Sequence, residues 1–142
     1  MAVALLDTNV LFAAVSARDE YHDRARKIVR RIDHGELPDG IVTNYVIAET
    51  LNLVGERIDA AAANRLLDRL IAGTHFEIVH APKADFNAAK AIFRQYSELS
   101  FVDATIAAYS DRTDTEYLYS FDDDFDALET LSRLETAENP FD

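Results

Sequence analysis

Short apolar runs alternate with amphipathic stretches along the chain. Ala2-Val3-Ala4-Leu5-Leu6 is apolar and closed by Asp7-Thr8-Asn9, which predicts a buried strand. A short helix follows over 9–17, capped by Thr8 or Asn9. From about Glu20 to His34 the period is helical, with Ala25, Ile28, Val29 and Ile32 on one side; Gly35 stops it and Pro38-Asp39-Gly40 turns the chain. Ile41-Val42-Thr43 is a brief strand. Asn44 caps a helix through about Arg57, and Asp59 caps another over Ala60 to Ala72, ended by Gly73. Phe76–His80 alternates as a strand. Pro82 opens a helix to about Ser97, and Ser100 opens one to about Asp111. Glu116–Ser120 is a strand and Asp124–Leu131 a short helix.

Strands alternating with helices predict a single α/β domain over 1–134, with a central, mostly parallel sheet of four or five strands flanked by helices on both faces. Residues 135–142 are expected as a loose polar tail. In such sheets ligands bind beyond the carboxyl ends of the strands, where strand order reverses. Asp7 and Asp122 are each expected at such an end.

Composition narrows the function. At 142 residues the chain is the size of one ordinary domain, and 49% hydrophobic content supports a packed core. It has no cysteine, which excludes disulfides, thiolate zinc sites and a cysteine nucleophile and suits a reducing cytoplasm. No apolar run approaches the ~20 residues of a membrane helix, and the start lacks the basic region of a signal peptide, so a cytoplasmic, membrane-free protein is expected. The net charge is −12, with 26 acids against 14 Lys and Arg, and only Lys27, Lys83 and Lys90 are lysines. This balance opposes broad electrostatic attraction to nucleic acid and resembles proteins adapted to high internal salt, a halophilic signature.

Four acids far apart in sequence are the candidate chemistry: Asp7, Glu49, Asp103 and Asp122. Each has an ordinary structural explanation. Asp7 can cap the next helix. Glu49 lies roughly 40° from Leu53 around its helix, a boundary position. Ser100-Phe101-Val102-Asp103 fits a capping box, and Asp122-Asp123-Asp124 fits a solvated turn. Taken together they read differently. Carboxylates gathered by folding repel one another and resist ionising, and a divalent cation removes that penalty. Hard oxygen ligands suit Mg²⁺ or Mn²⁺, one or two ions. Thr8, Asn9, Ser120 and Asp124 are candidate supporting residues. Arg24, Arg26, Lys27, Arg30 and Arg31 form the one basic cluster; Arg26, Lys27 and Arg30 are its candidate RNA contacts, against the plainer reading of a solvated helix face.

Other constellations are absent. There is no Gly-x-x-x-x-Gly-Lys loop and no Gly-x-Ser-x-Gly elbow. His22, His34, His75 and His80 lack ligand spacing. Asp122–Asp126 lacks the glycine and distal acid of a calcium loop, since Ala127 and Arg133 stand at those places.

With these positions placed, the chain resembles the PIN-domain family, and within it the VapC-type toxin ribonucleases of bacterial and archaeal toxin–antitoxin pairs. Leu6-Asp7-Thr8-Asn9-Val10-Leu11 is similar to the first motif. Ala48-Glu49-Thr50 is similar to the mid-helix acid, Leu99-Ser100-Phe101-Val102-Asp103-Ala104 to the third motif and Ser120-Phe121-Asp122-Asp123-Asp124-Phe125 to the strand-end motif. Ser120 stands where the family often has threonine. The resemblance implies a metal-dependent endoribonuclease, a homodimer held inactive by a cognate antitoxin, with Asp7, Glu49, Asp103 and Asp122 as metal-site acids and Asn9 in support. A PIN-type RNA-processing nuclease without an antitoxin and a non-catalytic binding module are the nearer alternatives. Aspartyl phosphotransfer is the more distant one: a phosphatase wants Asp-x-Asp after the first strand, where Asn9 stands, and a receiver wants a lysine beyond Lys90.

Overall fold

The computed structural model describes residues 2–142. Five strands form one sheet: β1 (Val3–Leu6), β2 (Asp39–Thr43), β3 (Phe76–Val79), β4 (Tyr117–Tyr119) and β5 (Ser132–Leu134). They stand in the order β3-β2-β1-β4-β5, and every pairing is parallel. Six helices connect them: α1 (Thr8–Val15), α2 (His22–Asp33), α3 (Asn44–Arg57), α4 (Ala60–Ala72), α5 (Lys83–Gln95) and α6 (Phe101–Thr113). The expected α/β fold is the observed one. Parallel strands need crossovers, and crossovers of one hand carry the helices onto both faces of a sheet that grows outward in two directions from β1. Among the described residues, no helix is long and apolar enough to cross a membrane.

Strand order reverses between β1 and β4. Leu5 is in register with Leu118 and Leu6 with Tyr119. Ala4, Leu5, Leu6, Leu118 and Tyr119 are all fully buried, which is why both strands read as apolar runs rather than alternating ones. The register has a direct consequence. The next residue on each strand, Asp7 and Ser120, must emerge side by side at the carboxyl edge.

Several local expectations need correction. The cap of α1 is Asp7 itself, whose carboxylate accepts from the Thr8 N–H at 2.8 Å. The cap of α3 is Thr43, whose Oγ1 accepts from Val46 N at 3.2 Å; Asn44 instead accepts from Ala81 N at 2.8 Å, tying α3 to the segment after β3. Pro82 sits just before α5 rather than in its first turn. The helix expected over Asp124–Leu131 is a single 3₁₀ turn, Asp123–Ala127, because the chain must extend again to form β5. That strand was not predicted: three residues carrying an arginine give no alternating signal. Asp59 does cap α4, and Ser100 and Asp103 form the expected capping box of α6.

Two devices hold the site's supports in place. Phe125, fully buried in the 3₁₀ turn, anchors an otherwise acidic loop to the core. Burying such a ring contributes roughly 1.5–3 kcal/mol. Arg112 of α6 grips Asp85 of α5 through two bonds of 2.7 and 3.1 Å, locking the two packed helices together. Residues 135–142 run back along the body. Tyr119 Oη donates to Glu138 O at 2.7 Å, Arg31 donates to Ala137 O, and Phe141 meets Tyr117 edge-on at 5.2 Å.

Candidate active site

Asp7 and Ser120 meet at the switch point as the register requires. Ser120 Oγ donates to Asp7 Oδ2 at 2.7 Å, and Asp7 N donates to Tyr119 O at 3.1 Å. Ser120, fully buried, also accepts from Asp122 N at 3.0 Å and from Asn9 Nδ2 at 3.3 Å. Asn9 Oδ1 in turn accepts from Phe121 N at 3.3 Å. One hydroxyl therefore ties the ends of β1 and β4 together and orients three of the predicted residues.

Asp7, Glu49, Asp103 and Asp122 line one cavity of about 470 Å³, together with Thr8, Asn9, Ser100, Asp19, Phe12, Leu53 and Arg57. The four acids come from the end of β1, the middle of α3, the first turn of α6 and the end of β4. Asp103 Oδ2 accepts from Ser100 N at 3.0 Å, and Asp122 Oδ1 accepts from Asp124 N at 3.0 Å. Asp7, Asp103 and Asp122 thus each cap a helical turn and each line the cavity. Glu49 is the solvent-exposed member.

The electrostatics bear on what the cavity can hold. Asp7 is only 5% exposed. Burial pushes its carboxyl up to about 7, and the nearby charges of Asp103 and Asp122 add to the rise against the Ser120 and Thr8 hydrogen bonds. Asp103 is also raised, chiefly by burial, with repulsion from Asp122 and Glu49 adding to it. Asp124 is raised mainly by the charge of Asp122. Among the described residues, the one trio whose carboxylate oxygens all lie within 4.8 Å of one another is Asp122, Asp123 and Asp124. The four cavity acids therefore stand further apart than direct contact of three of them with one ion would bring them. Mg²⁺ keeps several waters and takes one or two carboxylates directly, so a set of this spread fits an ion held partly through water. Thr8 Oγ1, on the same wall, is buried without a hydrogen-bond partner. An all-oxygen, net-anionic set of this kind suits a hard divalent cation.

Sequence reasoning missed Arg57 and Asp19 in the lining. The signal for Arg57 was present: Glu49, Leu53 and Arg57 recur every four residues and so share one face of α3. Arg26, Lys27 and Arg30 lie on the exposed face of α2 and do not line the cavity. An adjoining hollow of about 520 Å³ shares Asn9, Asp19 and Asp122 and is walled by Tyr21 and Phe121, whose rings stack at 4.4 Å.

Comparison with known proteins agrees with this architecture. No curated protein matches the chain. Among solved structures, VapC20 of Mycobacterium tuberculosis, a toxin that cleaves the sarcin–ricin loop, is 25% identical and superposes with a TM-score of 0.77 over 92% of this chain and 97% of that one. A toxin–antitoxin complex from Klebsiella pneumoniae is 19% identical at a TM-score of 0.66, covering 96% and 98% of the two chains. VapBC2 from Rickettsia felis, solved with a DNA fragment from its promoter, is 15% identical at 0.68, covering 93% and 97%. These last two likenesses speak for the fold alone. Residues 4–131 match the family model described as the PIN domain, nearly the whole length of the chain, and the protein belongs to the PIN-domain family.

Proposed function

We propose that the protein is a metal-dependent endoribonuclease and the toxin of a toxin–antitoxin pair. The observation that carries the reading is the convergence of four carboxylates, from four separate segments, on one cavity at the switch point of a parallel sheet. Asp7, Glu49, Asp103 and Asp122 would hold one or two Mg²⁺ or Mn²⁺ ions, with Asp124 beside them. Such an ion lowers the pKa of water and offsets charge at phosphorus and on the departing 3′ oxygen.

The chain's own residues do the positioning. Ser120 and the Thr8 N–H fix both oxygens of Asp7. The capping box fixes Asp103, and Asp124 N fixes Asp122. Phe12 and Leu53 form an apolar wall that lowers the local dielectric and strengthens each charge interaction. The products expected carry 5′ phosphate and 3′ hydroxyl ends. The toxin role is supported by the resemblance to VapC20. A cognate antitoxin and a second copy of this chain are the expected protein partners.

Cleavage of single-stranded RNA in Mn²⁺, abolished by EDTA, tests the reading. Asp7→Asn should slow it by roughly 10²–10³-fold or more, the scale of losing a preorganised electrostatic group. Wild-type rates from Asp7→Asn at saturating Mn²⁺ would refute the assignment.

A further inference from the structure

We propose that Arg57 is a substrate-binding residue: its guanidinium holds a backbone phosphate of the RNA at the rim of the acid cavity and so seats the strand for cleavage. The inference rests on the ribonuclease reading above and adds the residue that grips the substrate. It starts from charge. The chain carries −12, so a polyanion meets few favourable surfaces. Asp7, Asp19, Glu49, Asp103 and Asp122 are the acids of the lining, and Arg57 is its single cation. Such a cavity would repel a phosphodiester wherever a cation did not receive it.

The placement of Arg57 follows from α3. Two turns beyond Glu49 on the same face, it lines the same cavity as the strand-end acids. Its guanidinium carbon lies 5.8 Å from the centroid of the Phe12 ring, itself a wall of the cavity. Contact with an aromatic face steadies the group and leaves its charge and N–H fork available. Among the described residues no carboxylate lies within 4.0 Å of it, whereas Arg69, Arg112 and Arg133 are each paired with acids. An arginine beside five acids that pairs with none of them is poorly explained as their counter-ion. The planar fork matches two oxygens of a phosphate, and its charge survives at any working pH. The α2 cluster cannot make this contact at the cavity, since Arg26, Lys27 and Arg30 do not line it.

The test uses the full chain, Mn²⁺ and a single-stranded oligoribonucleotide. Arg57→Ala should raise KM roughly tenfold, the loss of one charge-assisted contact, with a smaller change in kcat. The slope of log affinity against log salt should fall by about 0.7, one phosphate contact on a single strand. Arg57→Lys, which keeps the charge and loses the fork, should lie between. Arg65→Ala, on the exposed face of α4, removes the same charge elsewhere and should leave the slope unchanged. Because Arg57 is exposed, its variants should melt with the wild type. An unchanged KM and salt slope in Arg57→Ala, beside an active wild type, would overturn the inference and leave the nuclease standing. A fall in kcat alone would also overturn it. A wild type that neither bound nor cut RNA would overturn both.

Discussion

Two aspartates are buried among the described residues, and they are treated in opposite ways. Asp85, 1% exposed, sits in the first turn of α5 and takes both arms of the Arg112 guanidinium. Asp7, 5% exposed, sits at the end of β1 and receives only neutral donors, a hydroxyl and a backbone N–H, with acids for neighbours. The fold evidently can supply an arginine to a buried acid, and at the switch point none pairs with it. A buried carboxylate left without a cation in the chain is costly unless it is protonated or meets a cation from outside. The difference separates an acid held by a cation of its own chain from one that has only neutral partners.

The comparison can be broken most severely at the structural pair. Arg112→Ala strands Asp85 and should lower the midpoint of unfolding in urea. The double variant Asp85→Asn with Arg112→Ala should recover part of the loss. If the single variant were as stable as the wild type, the pair would not be what distinguishes the two aspartates.

The second test is pH. Asp7 has a folded value of about 7 against an ordinary 3.8. The folded state therefore holds this proton more tightly than the unfolded chain does. Its contribution to stability is fully present below about 4 and is lost as pH rises through about 7, a fall on the order of 4 kcal/mol in metal-free protein. Asp103, raised in the same direction, adds to the fall. Chemical denaturation at pH 4 to 8 in EDTA measures it, and Asp7→Asn should flatten the curve. Mn²⁺ should restore stability more at pH 8 than at pH 5, because a bound ion needs the carboxylate deprotonated. A stability curve that rises across this window would remove the contrast with Asp85.

The smallest effect sharpens the picture at Ser120. Ser120→Ala removes the hydroxyl that orients Asp7 and accepts from Asn9 and Asp122. Mn²⁺ affinity, read by calorimetry, should weaken about 10–100-fold, the usual consequence of losing such support. Unaltered affinity would mean that Asp7 is oriented by its Thr8 contact alone.

Much of this architecture was legible in the residues. The apolar run before Asp7 and the stripes of α2 and α3 report burial, which is local information. The capping box was legible for the same reason, since four consecutive residues suffice to write it. That Asp7, Glu49, Asp103 and Asp122 belong to one place came from motif order, because no local rule brings residues a hundred apart together. The pairing of Asp7 with Ser120 depends on the β1–β4 register, and the grip of Arg112 on Asp85 depends on how α5 packs on α6. Neither has a sequence signature. β5 escaped because three residues are too few to show a period, and its identity rests on backbone pairing with β4. Arg57 was within reach from helical spacing, but an arginine at the end of a helix reads first as favourable to the helix dipole.

The capping role of the acids has a mechanical consequence. Asp7, Asp103 and Asp122 each hold a backbone N–H at the start of a helical turn. Those side chains cannot swing toward a guest without loosening the turn behind them. The cavity is accordingly stiff where it is most charged, and Glu49, exposed on the middle of α3, is the one of the four acids that holds no such bond and is free to change rotamer.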